Sequence, residues 1–192
     1  MLYLASQSPR RYQLLKQLNI DFQQFSVDVD ESVLNNEQPN EYINRVVEMK
    51  KIKAQQEVKL KDTILVADTM VTLNGKILGK PNNYNDAKRM LKLLSGNEHE
   101  VYTTVCIAQG NHSEKLNCIS QVKFRVIDET EIKAYWNSGE PCDKAGAYGI
   151  QGLGSIFVES ICGSHSAIMG LPLFETAQLL SKFGISVLNE SE

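Results

Sequence analysis

The segment 63–71, Thr-Ile-Leu-Val-Ala-Asp-Thr-Met-Val, constrains the fold of this chain more than any other feature. It is apolar and β-branched, without the alternation that a half-exposed strand shows, which is typical of a strand buried on both faces. Such a strand needs a sheet with further layers packed against it. The chain has 192 residues, 42% of them hydrophobic and 22% charged, which is enough for one domain with a core of that kind.

The remaining sequence alternates between predicted helices and strands. Ser8 and Pro9 are typical of a helix start, Asn74-Gly75 of a hairpin turn, and Asp128 with Glu131 of a capping box. Predicted strands cover residues 1–5, 22–27, 63–71, 76–79, 101–109, 116–126 and 155–161; predicted helices cover 9–19, 40–58 with Asn40 as cap, 85–94 with Asn85 as cap, 128–137 and 172–184. The order β-α-β-α-β-β-α-β-β-α-β-α predicts an α/β fold in which hairpins make the sheet mixed.

The predicted hairpin of 101–109 and 116–126 has His112 at the middle of its loop. Pairing that is symmetric about His112 would place Cys106 opposite Cys118. The four cysteines show no CxxC spacing, and the chain begins without a secretory signal, so we expect reduced thiols and a cytoplasmic location. No apolar run is long enough to span a bilayer, so no membrane partner is expected.

Several charged residues are candidates for a site that binds phosphate. Two arginines in Ser8-Pro9-Arg10-Arg11 stand at the positive end of a helix, where an anionic ligand would compensate them; a solvated turn is the alternative. The acidic group Asp28, Asp30 and Glu31 follows a strand and would suit Mg²⁺, or forms an ordinary acidic loop.

Asp68 is the sharpest single candidate, because a carboxylate inside an apolar strand is usually paired, metal-bound or catalytic. The lysines at 50, 51 and 53 are interpreted as a solvated helix face, and His99, between two acids, as a surface residue. The glycines in the segment 143–154 would allow a ligand to approach the backbone closely. The net charge of −3 argues against stable binding of nucleic acid.

The sequence also resembles a known family, through motifs that occur in order from residue 2 to about residue 181. These motifs are Leu-Ala-Ser-Gln-Ser-Pro-Arg-Arg at 4–11, Ala-Asp-Thr at 67–69, Gly-Lys-Pro at 79–81, Leu-Ser-Gly at 94–96, Asp-Lys-Ala-Gly-Ala-Tyr-Gly-Ile-Gln-Gly at 143–152 and Gly-Leu-Pro-Leu at 170–173. They are similar to those of the Maf family of nucleoside triphosphate pyrophosphatases. The resemblance implies one domain over residues 1–192, with an elongated mixed sheet, flanking helices and two lobes around a cleft, like the inosine triphosphate pyrophosphatases.

The resemblance also implies a reaction, a cofactor and a set of site residues. A nucleoside triphosphate is hydrolysed to the monophosphate and pyrophosphate with Mg²⁺ or Mn²⁺, and Glu31 and Asp68 are the metal-binding residues. Either Asp68 or Glu31 is the base that activates water, and we prefer Asp68 because its surroundings are more apolar. The family's residues fall on catalytic Asp68, Glu31, Lys53 and Lys80, and on substrate-binding Ser8, Arg10, Arg11, Thr69 and Gln151.

Three of these positions, Arg11, Thr69 and Gln151, match the branch of the family that prefers dTTP and UTP. Modified pyrimidine triphosphates are a further substrate class for the same chemistry. The alternatives are a pyrophosphatase for another nucleotide such as 7-methyl-GTP, and a binding protein that regulates septum formation in cell division. A homodimer is what the family suggests.

Overall fold

Seven strands form one mixed sheet in the computed structural model, which describes residues 1–188. The strands are β1 (Leu2–Ala5), β2 (Gln23–Phe25), β3 (Thr63–Leu73), β4 (Lys76–Leu78), β5 (Glu98–Gln109), β6 (His112–Phe124) and β7 (Val158–Cys162). Their order is β2-β1-β3-β5-β6-β7, with β4 paired to β3. Strands β2, β1 and β3 are parallel, whereas β4 and β7 run antiparallel to β3 and β6. The prediction of a mixed α/β sheet is therefore confirmed.

Within the described residues, six α-helices accompany the sheet. They are α1 (Pro9–Lys16), α2 (Pro39–Gln56), α3 (Tyr84–Leu94), α4 (Glu129–Asn137), α5 (His165–Met169) and α6 (Leu173–Lys182). Two predicted caps are wrong. Helix α2 is capped by Gln38, whose backbone N–H donates to the Glu41 side chain, and α3 by Asn83, whose side chain accepts from the Asp86 amide.

Within residues 1–188 no helix has the length and apolar character needed to cross a membrane.

The prediction of a strand over residues 155–161 is wrong for residues 155–157 and correct from residue 158. Residues Leu153–Phe157 form a 3-10 helix, and β7 begins at Val158. The amides of Leu153 and Gly154 donate to the carboxylate of Glu140. Because these amides hydrogen-bond to a side chain, they do not pair with a neighbouring strand.

The predicted centre of the long hairpin is also wrong. Strands β5 and β6 are joined by a two-residue turn at Gly110 and Asn111, and His112 is already the first residue of β6. The Phe124 amide donates to the Asn97 carbonyl. These two residues are equally far from the turn at Gly110 and Asn111, as pairing that is symmetric about this turn requires. The register thus differs by three residues from the predicted one, and an odd shift places Cys106 and Cys118 on opposite faces. Cys106 is a buried free thiol.

Contacts divide the chain into two compact units. The first contains Met1–Asp68, Thr103–Cys118 and residues 170–188, and the second contains Thr69–Tyr102 and Ile119–Met169. In the first unit, Val47 and Ala54 of α2 pack on β3 and β5. The core of the second unit joins α3 and α4 to the sheet through Leu91, Leu94, Val101, Phe124, Ile132 and Phe157. The cleft implied by the family resemblance stays a prediction.

His99 lies inside the second unit, so its interpretation as a surface residue is wrong. Its side chain is 1% exposed, its ring meets Phe124 and Tyr148 edge-on, and its Nε2 lies 2.8 Å from the Tyr148 hydroxyl. Within residues 1–188 its Nδ1 has no hydrogen-bond partner. Burial lowers the pKa of His99 from 6.5 to about 4, so the imidazole is neutral at physiological pH.

We predict that the free energy of unfolding falls as the pH is lowered from about 6.5 to about 4. In that range the unfolded chain binds a proton at His99 that the folded chain does not, and the full effect is on the order of 2–3 kcal/mol. The measurement is urea unfolding across this range. His99→Gln keeps a hydrogen-bonding group for Tyr148 and should flatten the pH slope, while the control His112→Gln should not. An unchanged slope in His99→Gln would rule out this residue as its source.

Candidate active site

Three polar segments of the first unit meet at the carboxyl ends of parallel strands. Leu4 of β1 pairs with Leu65 of β3, and Ala5 pairs with Phe25 of β2. The chain that follows β1 therefore begins beside β3, just before Asp68, and the chain that follows β2 begins one strand further along, beside β1. Carboxyl ends of parallel strands are where α/β sheets commonly bind ligands.

A lysine ammonium lies between two carboxylates at this edge. The Nζ of Lys50 is 2.7 Å from Oδ1 of Asp68 and 2.5 Å from Oε1 of Glu31. Lys50 and Asp68 are each 7% exposed, whereas the Glu31 side chain is 38% exposed. A buried charge is tolerated when it is paired and hydrogen-bonded. Asp68 is thus an embedded acid that is paired, which is one of the three alternatives that the sequence left open. Its partner is a residue interpreted from the sequence as solvated.

Lys50 lies between the two carboxylates because it is on the buried face of helix α2. Tyr42, Val46, Lys50 and Ala54 follow one another at intervals of four and are all buried. Lys53 is exposed, and its Nζ donates to the Asp28 carbonyl at 2.6 Å. Of the two lysines, the structure therefore places Lys50, and not Lys53, between the carboxylates. The stride of four from Val46 to Ala54 is the sequence signal that could have identified it.

The segment that carries Glu31 is held by the same helix. The Tyr42 hydroxyl donates to the Glu31 carbonyl at 3.0 Å, and Arg45 donates to the Ser32 carbonyl at 2.8 Å. Arg45 also makes a two-point ion pair with Glu37, at 2.5 and 2.8 Å. Burial and the charges of Asp68 and Glu31 raise the pKa of Tyr42, so its hydroxyl remains a donor.

The start of α1 follows β1 as predicted. The Ser8 hydroxyl caps the helix by accepting from the Arg11 amide, and Pro9 occupies the first helical position. The Arg11 side chain donates to the Gly170 carbonyl at 2.7 Å and to the Ser6 hydroxyl at 3.3 Å. Burial lowers the pKa of Arg11 and the nearby Asp68 carboxylate opposes that shift. Arg10 is half-buried on the same turn. This end of the unit therefore combines two guanidinium groups with a helix N-terminus.

The other three predicted site residues lie in the second unit. Thr69 follows Asp68 in β3 and is half-buried, while Lys80 and Gln151 are exposed. The turn that carries Lys80 is tied to the glycine-rich segment, because the Gly146 amide donates to the Gly79 carbonyl at 3.0 Å.

Comparison with known proteins identifies the family. The profile described as "Maf-like protein" matches residues 1–183 of this chain. The chain belongs to the Maf-like family.

Curated relatives of this Maf-like chain carry enzyme names. A protein of Pseudoalteromonas translucida named "dTTP/UTP pyrophosphatase" is 50% identical over 186 residues, covering 94% of this chain and 96% of the relative. A protein of Pseudoalteromonas atlantica with the same name is 44% identical over 189 residues, covering 97% and 98%. Among solved structures, the Ham1 protein of Staphylococcus aureus matches with a TM-score of 0.44 and 14% identity, covering 64% of this chain and 71% of that protein.

The acidic residues of this Maf-like chain suit a hard divalent cation that is also bound by phosphate. Within residues 1–188 no three His, Cys, Asp or Glu side chains are grouped as a metal site. Glu31 and Asp68 supply carboxylate oxygens, and Mg²⁺ is commonly held by one or two carboxylates together with substrate phosphates. Lys50 contacts one oxygen of each carboxylate. The donor set therefore fits a cation that arrives with a phosphorylated substrate.

We predict that Lys50→Met lowers the free energy of unfolding by about 3–5 kcal/mol, the usual cost of leaving one member of a buried ion pair without its partner. Asp68→Asn removes the other charge of the pair. The free energy of unfolding of the double variant should therefore fall by clearly less than the sum of the two decreases in the single variants. Urea unfolding at neutral pH measures all three variants. Lys182→Met, which breaks an exposed ion pair with Glu114, is the matched control and should cost at most about 1 kcal/mol. Additive losses would contradict the coupling of Lys50 to Asp68.

Proposed function

We propose that this chain hydrolyses dTTP and UTP to the monophosphate and pyrophosphate. The observation that carries the proposal is the buried Lys50 ammonium between Asp68 and Glu31, beside the cationic start of α1. That arrangement offers cations and a helix N-terminus for phosphate oxygens, and carboxylates for a metal and a water molecule. The names of the relatives that are 44–50% identical supply the substrate class.

The triphosphate would bind mainly through charge. Ser8 and the two arginines of α1 present a hydroxyl and guanidinium groups, which match phosphate oxygens with bidentate geometry. Lys53 and Lys80 each add an exposed ammonium group. The proposal assigns these residues to binding and to neutralising the charge that develops on the leaving pyrophosphate.

Hydrolysis needs a water molecule oriented toward the α-phosphorus. We assign the orienting base to Asp68, because it is the more deeply buried of the two acids. The Lys50 ammonium reduces the repulsion between Asp68, Glu31 and an incoming polyanion. Positioning and charge stabilisation carry most of the catalysis in phosphoryl transfer of this kind.

Glu31 and Asp68 are the residues that would hold Mg²⁺ or Mn²⁺. Bound there, the cation would offset the negative charge of the phosphates and supply Lewis acidity. Glu31 suits this role because its side chain is partly exposed while its backbone is fixed by Tyr42.

Selection of the base is assigned to Gln151 and Thr69, together with Arg11. A glutamine amide carries both a donor and an acceptor, so it can match the imide edge of thymine or uracil. Gln151 lies in the turn that follows Tyr148 and its side chain is exposed.

A cytoplasmic location is part of the proposal. Nucleoside triphosphate substrates and the free Cys106 thiol support it. The family's homodimer and the absence of stable nucleic-acid binding stay predictions.

We predict that dTTP and UTP are cleaved faster than CTP, ATP and GTP, measured as pyrophosphate release from each nucleotide. Gln151→Glu should reduce the preference for dTTP over CTP, because a carboxylate only accepts and repels the carbonyl of the imide edge. Gln178→Glu makes the same change at an exposed position of α6 and should leave the preference intact. Equal rates on all five nucleotides would contradict the proposed specificity, and no turnover of any of them would favour the binding-protein alternative.

We predict different defects for the two carboxylates in a Mg²⁺ titration of dTTP hydrolysis. Asp68→Asn should lower kcat by about 10²–10⁴-fold even at saturating Mg²⁺, the usual effect of losing a general base. Glu31→Gln should mainly raise the Mg²⁺ concentration needed for half-maximal rate, and EDTA should abolish turnover of the unaltered protein. Near-normal kcat in Asp68→Asn, or full activity in EDTA, would contradict these assignments.

A further inference from the structure

The glycine-rich segment of the second unit is wrapped around a carboxylate of the protein itself. Oε2 of Glu140 accepts from the Leu153 amide at 2.8 Å, and Oε1 accepts from the Gly154 amide at 3.0 Å and from the Tyr135 hydroxyl at 2.7 Å. Glu140 lies in a 3-10 turn directly after α4. Three donors thus converge on one half-buried carboxylate.

Tyr135 extends this network to the other end of the segment. Its hydroxyl donates to Glu140 and accepts from the Gly149 amide at 3.0 Å. Its ring is buried in α4, edge-on to Phe157 at a centroid distance of 5.0 Å. The turn 149–154 is therefore bound at both ends to groups that the core of the unit holds in place.

The glycines of the turn are explained by these two side chains. A Cβ at Gly152 would overlap the Glu140 carboxylate, and a Cβ at Gly154 would lie 2.5 Å from the Tyr135 oxygen. A Cβ at Gly149 would lie 2.9 Å from both Oε1 of Glu140 and the Lys144 side chain. Backbone and carboxylate approach each other so closely only because these positions lack side chains.

The Glu140 carboxyl is ionised in this setting. Burial by itself would raise its pKa, but the amides of Gly154 and Leu153 and the Tyr135 hydroxyl donate to it, and the pKa is lowered overall. An ionised carboxylate only accepts hydrogen bonds, which suits three converging donors.

Gln151 stands in the middle of this turn. The bound amide of Gly149 lies two residues before it, and the bound amide of Leu153 lies two residues after it. A glutamine amide can pair its donor and acceptor with the imide edge of thymine or uracil only when it is presented at the right distance and angle to that edge. Preference for these bases therefore requires a fixed position of the backbone that presents the amide.

We propose that Glu140, acting with Tyr135, is a positioning residue that sets nucleobase selectivity by holding the turn 149–154 that presents Gln151. This inference rests on the proposed function, because it assigns the role of base selection to Gln151. Glu140 acts through the backbone of the turn and is not a catalytic residue.

The test compares Glu140→Gln with the unaltered protein. In the variant, the amide nitrogen faces either the Leu153 or the Gly154 amide, so one donor loses its acceptor in either orientation. We expect kcat/KM for dTTP relative to CTP to fall by about tenfold, the usual effect of losing one hydrogen bond to a charged group, mainly through a higher KM for dTTP. Inhibition by inorganic pyrophosphate should not change, because that probe has no base.

Two further variants test whether the effect of Glu140→Gln comes from the hydrogen-bond network rather than from a general loss of folding. Tyr135→Phe keeps the ring in the core and removes the hydroxyl, and Gly152→Ala adds the Cβ that displaces Glu140. Both should reduce the same selectivity ratio. Glu159→Gln makes the same chemical change in an exposed ion pair with Lys123 and should leave the ratio unchanged.

Amide hydrogen exchange provides a readout that does not depend on activity. The amides of Gly149, Leu153 and Gly154 should exchange faster in Glu140→Gln, with protection of β5 unchanged. Unchanged exchange would overturn the proposal, as would faster exchange with an intact selectivity ratio. If Gln151→Glu itself leaves the ratio intact, base selection by Gln151 is what fails, and the exchange data still decide whether Glu140 holds the turn.

Discussion

The first unit depends on placing the Lys50 ammonium between two carboxylates. An isolated charge in that position would be very costly, so Asp68 must lie inside β3 and Glu31 must be brought back from the chain after β2. Tyr42 and Arg45 of the same helix hold the Glu31 segment, and Val46 and Ala54 bury the face that carries Lys50. One helix face therefore supplies the cation, its hydrophobic surroundings and the support for one of its partners.

In the second unit a charged side chain is likewise surrounded by hydrogen-bonding partners, but this charge is negative. Its charge is the half-buried Glu140 carboxylate, whose partners are backbone amides and the Tyr135 hydroxyl rather than an ammonium. Amides converge on a carboxylate only where the backbone can come close, which accounts for the glycines at 149, 152 and 154. A glycine-rich stretch that resembles a ligand cradle in sequence thus encloses a group of the protein itself, and the exposed Gln151 lies on the turn so formed.

Local signals predicted most of the secondary structure, because caps, turns and hydrophobic patterning act over a few residues. The Asn74-Gly75 turn has positive φ at both positions, the Asp128 capping box begins α4, and Ser8 caps α1. The failures arose where distant residues compete. The strand expected from residue 155 starts later because Glu140 binds the preceding amides, and His99, flanked by two acids, is buried by packing against Phe124 and Tyr148.

The sequence by itself determined the alternation of elements, the buried character of β3, the family, and Asp68 as a charge that needs a partner. Only the tertiary structure decided which partner that is. Lys50 and Lys53 are the same residue type three positions apart, and they differ in the direction in which α2 presents each against the sheet. The register of β5 and β6 was likewise decided by pairing across the turn at Gly110 and Asn111. The choice of lysine depends on contacts between segments far apart in the chain, and the register depends on pairing between two neighbouring strands. Neither is encoded by the pattern within a single element.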